Sequence, residues 1–558
     1  MALFSLLHRS WLPVRRRSGA RSVIRPAEIA SAFRDDPIVA FAWGRPDFDS
    51  ASREFMIGLL ATAFPPPAED DKAFRALWNE PPDADRLDEA FAPFAEAFLL
   101  DGDGPRFMQD FDPLDSAEEI PASSLLIDAP GANALKENKD LFQKRGLIEQ
   151  LSRGSAAMAL FALQTFAPSG GAGHRTSLRG GGPLTTLVVQ RDENTPLWRT
   201  LWLNTPEENG AFAAAADEKD RVFPWLAPTF ASDGKPTRFV APSDRRAPYT
   251  GHVLQAFWGM PRRVRLTFSP NEQRTACPIA GAVDDTVVAS FRTRPWGVAY
   301  DPAFIHPLSP YYRPKGKGDW LPVHPQPGGL PYSDWPAIAG VGDEESRPAA
   351  IVSVAIDRLT SSGLSEAGDR LEGRLIASGY DMDNMKARGF VEAEMPIFLL
   401  PRLSKERRDA FYATVKAFVG AADLAASVTG VCARIALAGE RAAGAATPFA
   451  ALRERFFLDT QDAFFNQLRE LTAAPEIRSA RNEAWLEILR KKSLALFEEA
   501  VSFEDMPQKI MERAVPARRN LLGAFRGYGA TGKKLFAQLG LAPSQPAEKI
   551  GKKSRKNQ

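Results

Sequence analysis

The sequence predicts an α+β protein: a large, irregular mixed N-terminal domain followed by an all-α C-terminal four-helix bundle. Three observations carry that prediction. At 558 residues the chain exceeds what one hydrophobic core can serve, because cores stop growing at about 250 to 300 residues. Up to about residue 400, short apolar runs alternate with Pro and Gly punctuation, the pattern of antiparallel pairing in an irregular domain. From about Leu403 the register changes to long stretches with apolar residues at helical spacing. The expected boundaries are 1–398 for the mixed domain, 399–545 for the bundle and 546–558 for a basic disordered tail.

Trp11, Leu12, Pro13 and Val14 read as a strand, Arg15, Arg16 and Arg17 as its turn, and Ser22 to Arg25 as a returning strand that leads into a helix near Pro26. Residues 49–98 carry helix signals. Phe55, Ile57, Leu59, Leu60 and Phe64 precede a triple-proline stop, and Phe74, Leu77 and Trp78 follow at helical spacing. Residues 104–111 and 121–144 are polar and loop-like, and the second is long for a structureless connection, a class usually functional or disordered. Its Lys136, Lys139 and Lys144 are candidates to reach a phosphate backbone.

Runs of strand length follow at 185–190, 197–203, 252–258, 263–268 and 287–292. Trp198, Trp202, Trp225, Trp258, Trp296, Trp320 and Trp335 are read as core and loop anchors in preference to base-stacking platforms. Pro and Gly are densest at 316–331, which marks a surface excursion. A helix is expected over 351–364, then a polar turn at 379–386 (GYDMDNMK) and a strand-like run at 395–400. The bundle helices are marked by Phe411, Val415 and Phe418; by Phe457, Phe464, Leu468 and Leu471; by Trp485, Ile488, Leu489 and Leu496; and by Leu521, Phe525, Leu535 and Leu539.

The stretch furthest from ordinary globular sequence is 161–189, FALQTFAPSGGAGHRTSLRGGGPLTTLVV. Gly170, Gly171 and Gly173 open a loop that Gly180, Gly181 and Gly182 close, with His174, Arg175 and Arg179 between them. Glycine lets backbone approach a partner closely, and N–H groups interleaved with cations suit a phosphate cluster or a nucleic-acid groove. The same residues also suit a glycine-rich connection whose arginines are simply solvated.

The formal charge of +1 hides an asymmetry: residues 1–400 hold 43 Lys+Arg against 52 Asp+Glu, and residues 401–558 hold 27 against 17. The positive field is concentrated at the carboxyl end, a footprint expected for an anionic partner. Its fourth helix carries Arg513, Arg518, Arg519, Arg526, Lys533 and Lys534. Only Cys277 and Cys432 occur, which excludes a disulfide framework and a cysteine zinc site and fits a cytoplasmic setting. No signal peptide and no uncharged apolar run near the roughly 18 residues of a membrane span are read.

Catalytic constellations are scarce. Residues 527–533 (GYGATGK) match the first seven positions of a phosphate-binding P-loop, but Lys534 stands where Ser or Thr would hold magnesium and no strand precedes. Asp381 and Asp383 are the remaining metal candidates, and a two-carboxylate turn is more often a solvated cap. The five histidines show no metal pairing, and there is no GxSxG elbow. On these residues two classes stand: a nucleic-acid-binding module without turnover, or a nucleotide- or metal-dependent nucleic-acid-processing enzyme. No cofactor and no metal are expected.

The run APSGGAGHRTSLRGGGPLTTLV, with NKDLF upstream and HPLSPYY and GYDMDNMKAR downstream, resembles the CasA family, the large subunit of the type I-E CRISPR surveillance complex Cascade. With the C-terminal bundle, the resemblance covers essentially the whole chain. It implies a non-enzymatic subunit that recognises the protospacer-adjacent motif (PAM) of duplex DNA from the minor groove, starts strand separation and docks a helicase-nuclease. The implied partners are CRISPR RNA, double-stranded target DNA, the backbone, small and 5'-handle-binding Cascade subunits, and the helicase-nuclease effector, with no membrane. Carried over by position, the PAM-reading glycine loop falls on Ser169, Gly170, Gly171, Ala172 and Gly173. The strand-separating wedge falls on Met382, Asp383, Asn384 and Met385, with Asn384 where a family member carries glutamine. The cationic finger falls in 291–296 (FRTRPW), with Arg294 as first choice and Arg292 as second, and the RNA-contacting loop on 127–140, including Ile127, Asp128, Asn138 and Lys139. Arg518, Arg519, Lys533 and Lys534 would meet DNA phosphates. Some relatives carry a CPAC-like cysteine pair before the glycine loop; this chain has LSRGSA at 151–156, hence no zinc is expected. Ser169 and Ala172 interrupt the glycine run.

Overall fold

In the computed structural model the described residues are 3–138, 140, 146–168, 170–171, 173–190, 192–208, 218–235, 237–243, 246–340, 342–361, 364, 372–383, 386–400, 403–439, 447–473, 478–502 and 507–543. They divide into two compact units: Met1–Gly329 with Ala337–Arg402, and Leu330–Pro336 with Leu403–Gln558.

The first unit is mixed α+β, as the punctuated apolar runs predict. Strands β1 (Leu12–Arg16), β2 (Arg21–Ile24) and β3 (Ile38–Phe41) form an antiparallel sheet in the order β2-β1-β3. Helix α1 (Pro46–Ala63) is buried along most of its length. At its centre Phe55 meets Trp11, Phe98, Phe107, Phe161 and Trp258 edge-on, with ring centroids 5.4 to 6.1 Å away. Edge-to-face pairs contribute about 0.5–1.5 kcal/mol each beyond area burial, so this cluster fixes the helix in the core.

Strands β4 (Glu119–Pro121) and β5 (Leu151–Ser152) precede helix α2 (Arg153–Phe166), whose N-cap Ser152 accepts a hydrogen bond from the Ser155 N–H. β6 (Thr185–Val189) follows, buried throughout. β7 (Arg263–Pro270) and β8 (Thr286–Arg294) pair antiparallel, and the other edge of β8 takes β4 and β5. β9 (Glu372–Asp383) and β10 (Lys386–Phe398) form a long antiparallel hairpin, and β9 also pairs with β6. This hairpin replaces the polar turn between apolar segments expected at 379–386.

Two of the strand readings fail. Residues 197–203, expected as a strand, form the helix Leu197–Leu203, and 252–258 form a turn and the short helix Gln255–Trp258. An apolar run of seven residues does not distinguish a buried strand from a buried helix segment by periodicity. The tryptophan reading holds for Trp198, Trp202, Trp225, Trp258 and Trp335, which are fully buried; Trp296 is 38% exposed and departs from it.

The second unit is all-helical: α3 (Lys405–Ala438), α4 (Thr447–Ala473), α5 (Arg478–Val501), α6 (Gln508–Ala524) and α7 (Gly529–Gln538). α3 packs against all four others. Several of its buried positions are alanines, which allow close helix approach. The core stacks Phe418 on Trp485 at 5.4 Å and Tyr332 on Phe464 at 4.3 Å, and Tyr332 Oη shares a 2.9 Å hydrogen bond with Thr460 Oγ1.

The fourth helix read from the sequence is two. Gly527 and Gly529 take φ of +84° and +73°, a conformation that stops α6 and starts α7. α3 is long and apolar enough by composition to cross a membrane, a feature the sequence reading passed over. Its buried residues are those that face the neighbouring helices.

Candidate nucleic-acid interface

The glycine-rich loop leaves α2 at Phe166 and enters β6 at Thr185. It doubles back on itself. Gly182 N–H donates to Phe166 O at 2.6 Å, Ser177 N–H to Ala167 O at 3.3 Å and Gly180 N–H to Ser177 O at 3.0 Å. The two glycine clusters do different work. At Gly181 a Cβ would lie 2.8 Å from Pro168 Cα, and at Gly182, where φ is +64°, it would lie 2.3 Å from Tyr380 O. The closing cluster is therefore a packing device against the start of the loop and against β9. In the opening cluster only Gly171, φ +91°, faces space, with nothing within 4 Å of an added Cβ; Gly170 is closed in by Arg262 and His174, and Gly173 by Pro295 and Trp296. Ser169 and Ala172 lie outside the described residues.

Arg179 corrects the reading of the loop arginines as solvated or polyanion-facing. It is 2% exposed and donates to Glu54 Oε1 at 2.5 Å, Thr185 Oγ1 at 3.0 Å and Ser309 Oγ at 2.9 Å. His306 Nε2 lies 3.3 Å from the same Glu54 oxygen, and its Nδ1 accepts from the Leu308 N–H. Burial alone would raise the Glu54 carboxyl, but Arg179 and His306 outweigh it and hold it down to about 2. Burial and the Arg179 charge push His306 down to about 4, leaving it neutral. The loop is thus anchored to α1 through one buried ionic network.

The open half of the loop meets the end of β8. Trp296 N–H donates to Gly173 O at 2.7 Å, and a Cβ at Gly173, φ +81°, would come within 2.9 Å of the Trp296 ring. Trp296 itself has φ +64°, an outlier for a bulky residue, and Arg175 lies over its ring at 5.4 Å from the centroid. Arg294, two residues earlier, hydrogen-bonds Ser116 Oγ. Arg292 is bound at 3.0 Å to both Asp115 and Glu119, so its charge is already neutralised. Arg262 lies against Gly170 and bonds Pro168 O; burial lowers its guanidinium to about 10. Sequence reading missed Arg262 and the loop-to-strand bond, and placed Trp296 in the finger stretch without its contact to the loop, because only the fold brings Gly170 and Gly173 to Arg262 and Trp296.

The β9–β10 hairpin carries the wedge positions at its tip. Met382 and Asp383 end β9, and Met382 packs beside Gly182. Asn384 and Met385 lie outside the described residues. Asp381 is buried and bidentate with Arg388 at 2.6 and 2.9 Å, which ends its candidacy as a metal ligand, while the Asp383 side chain is 71% exposed. Among the described residues no group of three His, Cys, Asp or Glu could hold a metal ion.

Near its tip the hairpin joins the expected RNA-contacting loop. Tyr380 Oη donates to Asp47 at 2.6 Å, and Arg45 bridges Asp47 and Asp128 at 2.9 Å each. Ile127 adjoins Asp128. Asn138 has φ +53°, and Lys139 and Lys144 lie outside the described residues. In the helical unit Arg518 pairs with Glu498 at 2.6 Å, whereas Arg519, Arg526, Lys533 and Lys534 are exposed. GYGATGK spans the turn from α6 into α7; no strand precedes it, and Gly532 packs on Ala524, so the phosphate-loop geometry is absent.

The family model of CRISPR-associated protein Cse1 matches residues 5–496. The chain belongs to the Cse1 family. Cse1, also called CasA, is the large, non-catalytic subunit of the type I-E Cascade surveillance complex. Solved Cse1 structures share the fold. CasA of Thermus thermophilus is 18% identical with TM-score 0.66, over 94% of this chain and 100% of that one. Cse1 of Thermobifida fusca is 19% identical with TM-score 0.66, over 97% and 99%. A chain of a CRISPR RNA-guided surveillance complex is 15% identical with TM-score 0.64, over 94% and 100%.

Proposed function

We propose that this Cse1 chain is the PAM sensor of its complex. It binds target duplex at the PAM from the minor groove, wedges the strands apart to start R-loop formation, and offers the docking platform for the helicase-nuclease. In this reading Ser169, Gly170, Gly171, Ala172 and Gly173 are the groove-facing backbone, Arg294 is the cationic finger, and Met382, Asp383, Asn384 and Met385 are the wedge. Ile127, Asp128, Asn138 and Lys139 meet the CRISPR RNA end. Arg519, Lys533 and Lys534 meet DNA phosphates, with Arg518 first exchanging its carboxylate partner. The mixed domain of 1–398 carries recognition, and the bundle of 399–545 with the basic tail of 546–558 carries phosphate and subunit contacts. The complex works in the cytoplasm, away from membranes, with the backbone, small and 5'-handle-binding subunits.

The observation that carries the reading is a convergence within one unit. The bond from Trp296 N–H to Gly173 O sets the finger strand beside the open glycine cluster, and the contact of Gly182 with Tyr380 and Met382 sets the hairpin beside the closing cluster. A minor groove about 6 Å wide excludes bulky side chains, which suits bare backbone at Gly171. Opening a base step costs a few kcal/mol, which an inserted tip residue offsets while guide pairing proceeds. The test is a gel shift of PAM-bearing and PAM-less duplexes by the guide-loaded backbone assembly with and without this chain. PAM-dependent binding that requires the chain is expected; binding indifferent to the chain would end the reading.

A further inference from the structure

A duplex opened at the glycine loop releases a strand, and a cavity beside that loop has the lining to receive it. The cavity is open, about 790 Å³, and bounded among others by Phe239, Arg246, Asp301, Asp319, Trp320 and Arg347. A second cavity of about 370 Å³ shares Pro302 and Trp320 with it and is walled by Arg175 to Gly180 of the glycine loop. The two adjoin at those residues, a path along the wall that carries Trp320.

Arginine and aromatic rings alternate along that path. The Arg347 guanidinium lies 4.4 Å from the Trp320 centroid and 5.1 Å from that of Tyr311, and Arg313 lies 4.6 Å from Trp320. Tyr312, on the wall of the smaller cavity, is 41% exposed. Nη2 of Arg347 is buried without a hydrogen-bond partner, and among the described residues no carboxylate pairs with Arg347 or Arg246. Guanidinium groups without a carboxylate partner favour an anionic acceptor that arrives from outside. Two carboxylates, Asp301 and Asp319, also line the cavity, which disfavours a bare polyphosphate. A nucleotide satisfies both: its phosphate accepts from guanidinium, its base N–H groups donate to carboxylate, and its ring stacks on an aromatic.

We propose that this cavity binds an unpaired nucleotide of the DNA strand displaced at the glycine loop, with Arg347 and Arg246 on its phosphate and Trp320 or Tyr312 on its base. The inference rests on the PAM-sensor reading for the identity of the strand, and on the cavity alone for its chemistry.

The test uses the guide-loaded assembly with the full chain and a target duplex carrying 5-iodouracil at displaced-strand positions just inside the PAM. Ultraviolet cross-links are mapped by mass spectrometry. Cross-links at Trp320 or Tyr312 are expected, and Arg347→Gln should lower their yield about tenfold while PAM-dependent binding in the gel shift stays intact. Arg347→Lys should recover part of the yield, which a misfolded variant would not. Cross-links confined to other residues, or a yield untouched by Arg347→Gln, overturn the pocket and leave the PAM sensor standing. If PAM-dependent binding itself fails, the same iodinated strand is offered single-stranded to the full chain, beside an RNA of equal sequence. A cross-link at Trp320 with DNA then supports the nucleotide site without the sensor, and no cross-link, or one with RNA alone, overturns it.

Discussion

Gly173 shows how much one hydrogen atom decides. Its φ of +81° is left-handed, and an added Cβ would sit 2.7 Å from Pro295 and 2.9 Å from the Trp296 ring. Gly173→Ala is expected to lower stability by about 1–2 kcal/mol and to reduce PAM-dependent binding at least tenfold. Denaturant titration and gel shift read the two effects separately, and a variant that binds PAM duplex like wild type would remove this residue from the interface. Deeper in the same loop, the Arg179, Glu54 and His306 network makes stability depend on pH. Unfolded, His306 takes a proton near 6.5, while folded it resists to about 4, so stability is full above about 6.5 and falls as pH drops toward 4. Glu54 acts below that, its contribution present above 4.5 and lost toward about 2. His306→Gln should flatten the fall in Tm between pH 6.5 and 4; a wild-type and variant pair with parallel profiles would contradict the assignment. Arg179→Ala, which strands a buried carboxylate, should lose about 3–5 kcal/mol.

At the scale of elements, the β9–β10 hairpin is the least legible part of the fold. Its outer strand, KARGFVEAEMPIF, is exposed or half-buried over ten of its thirteen residues, so it lacks the one-sided apolar alternation that marks a strand in sequence. The polar turn read at 379–386 is strand at 379–383 and again from 386. Asn384, which follows β9 in the chain, is expected to matter for opening more than for binding: Asn384→Ala should weaken R-loop formation on intact duplex several-fold more than binding to pre-opened DNA, and equal losses would sink the wedge. The helical unit shows the opposite case. Its long amphipathic patterns place the helices, yet the break at Gly527 is hidden because helical spacing resumes after it. With φ +84° and a Cβ position 2.6 Å from Pro543, Gly527→Ala should destabilise this unit by about 1–2 kcal/mol in thermal unfolding; no change would mean the turn tolerates a right-handed alternative.

For the whole molecule, part of the charge asymmetry read from composition appears as exposed cations on α6 and α7, among them Arg519, Lys533 and Lys534. Replacing Arg519, Lys533 and Lys534 together by alanine should weaken binding across all duplex sequences and reduce the slope of log affinity against log salt by about one per lost phosphate contact. A PAM-selective loss with an unchanged slope would move recognition into the helices. Fold class and family are legible because composition, periodicity and the glycine motif act over long stretches. The site is legible only in pieces, since Pro295 and Trp296, which close on Gly173, are more than a hundred residues away in sequence. Arg179 escapes for the same reason: nothing beside it in the chain announces Glu54.

Trp296 is held on the surface by a strained backbone while six of the chain's other tryptophans are fully buried, and in the proposed reading it sits where the loop would meet duplex. It is thus a native optical probe. Water-soluble quenchers such as iodide should extinguish its emission first, and DNA shielding it should blue-shift that fraction, so engagement can be followed in real time on the unlabelled chain.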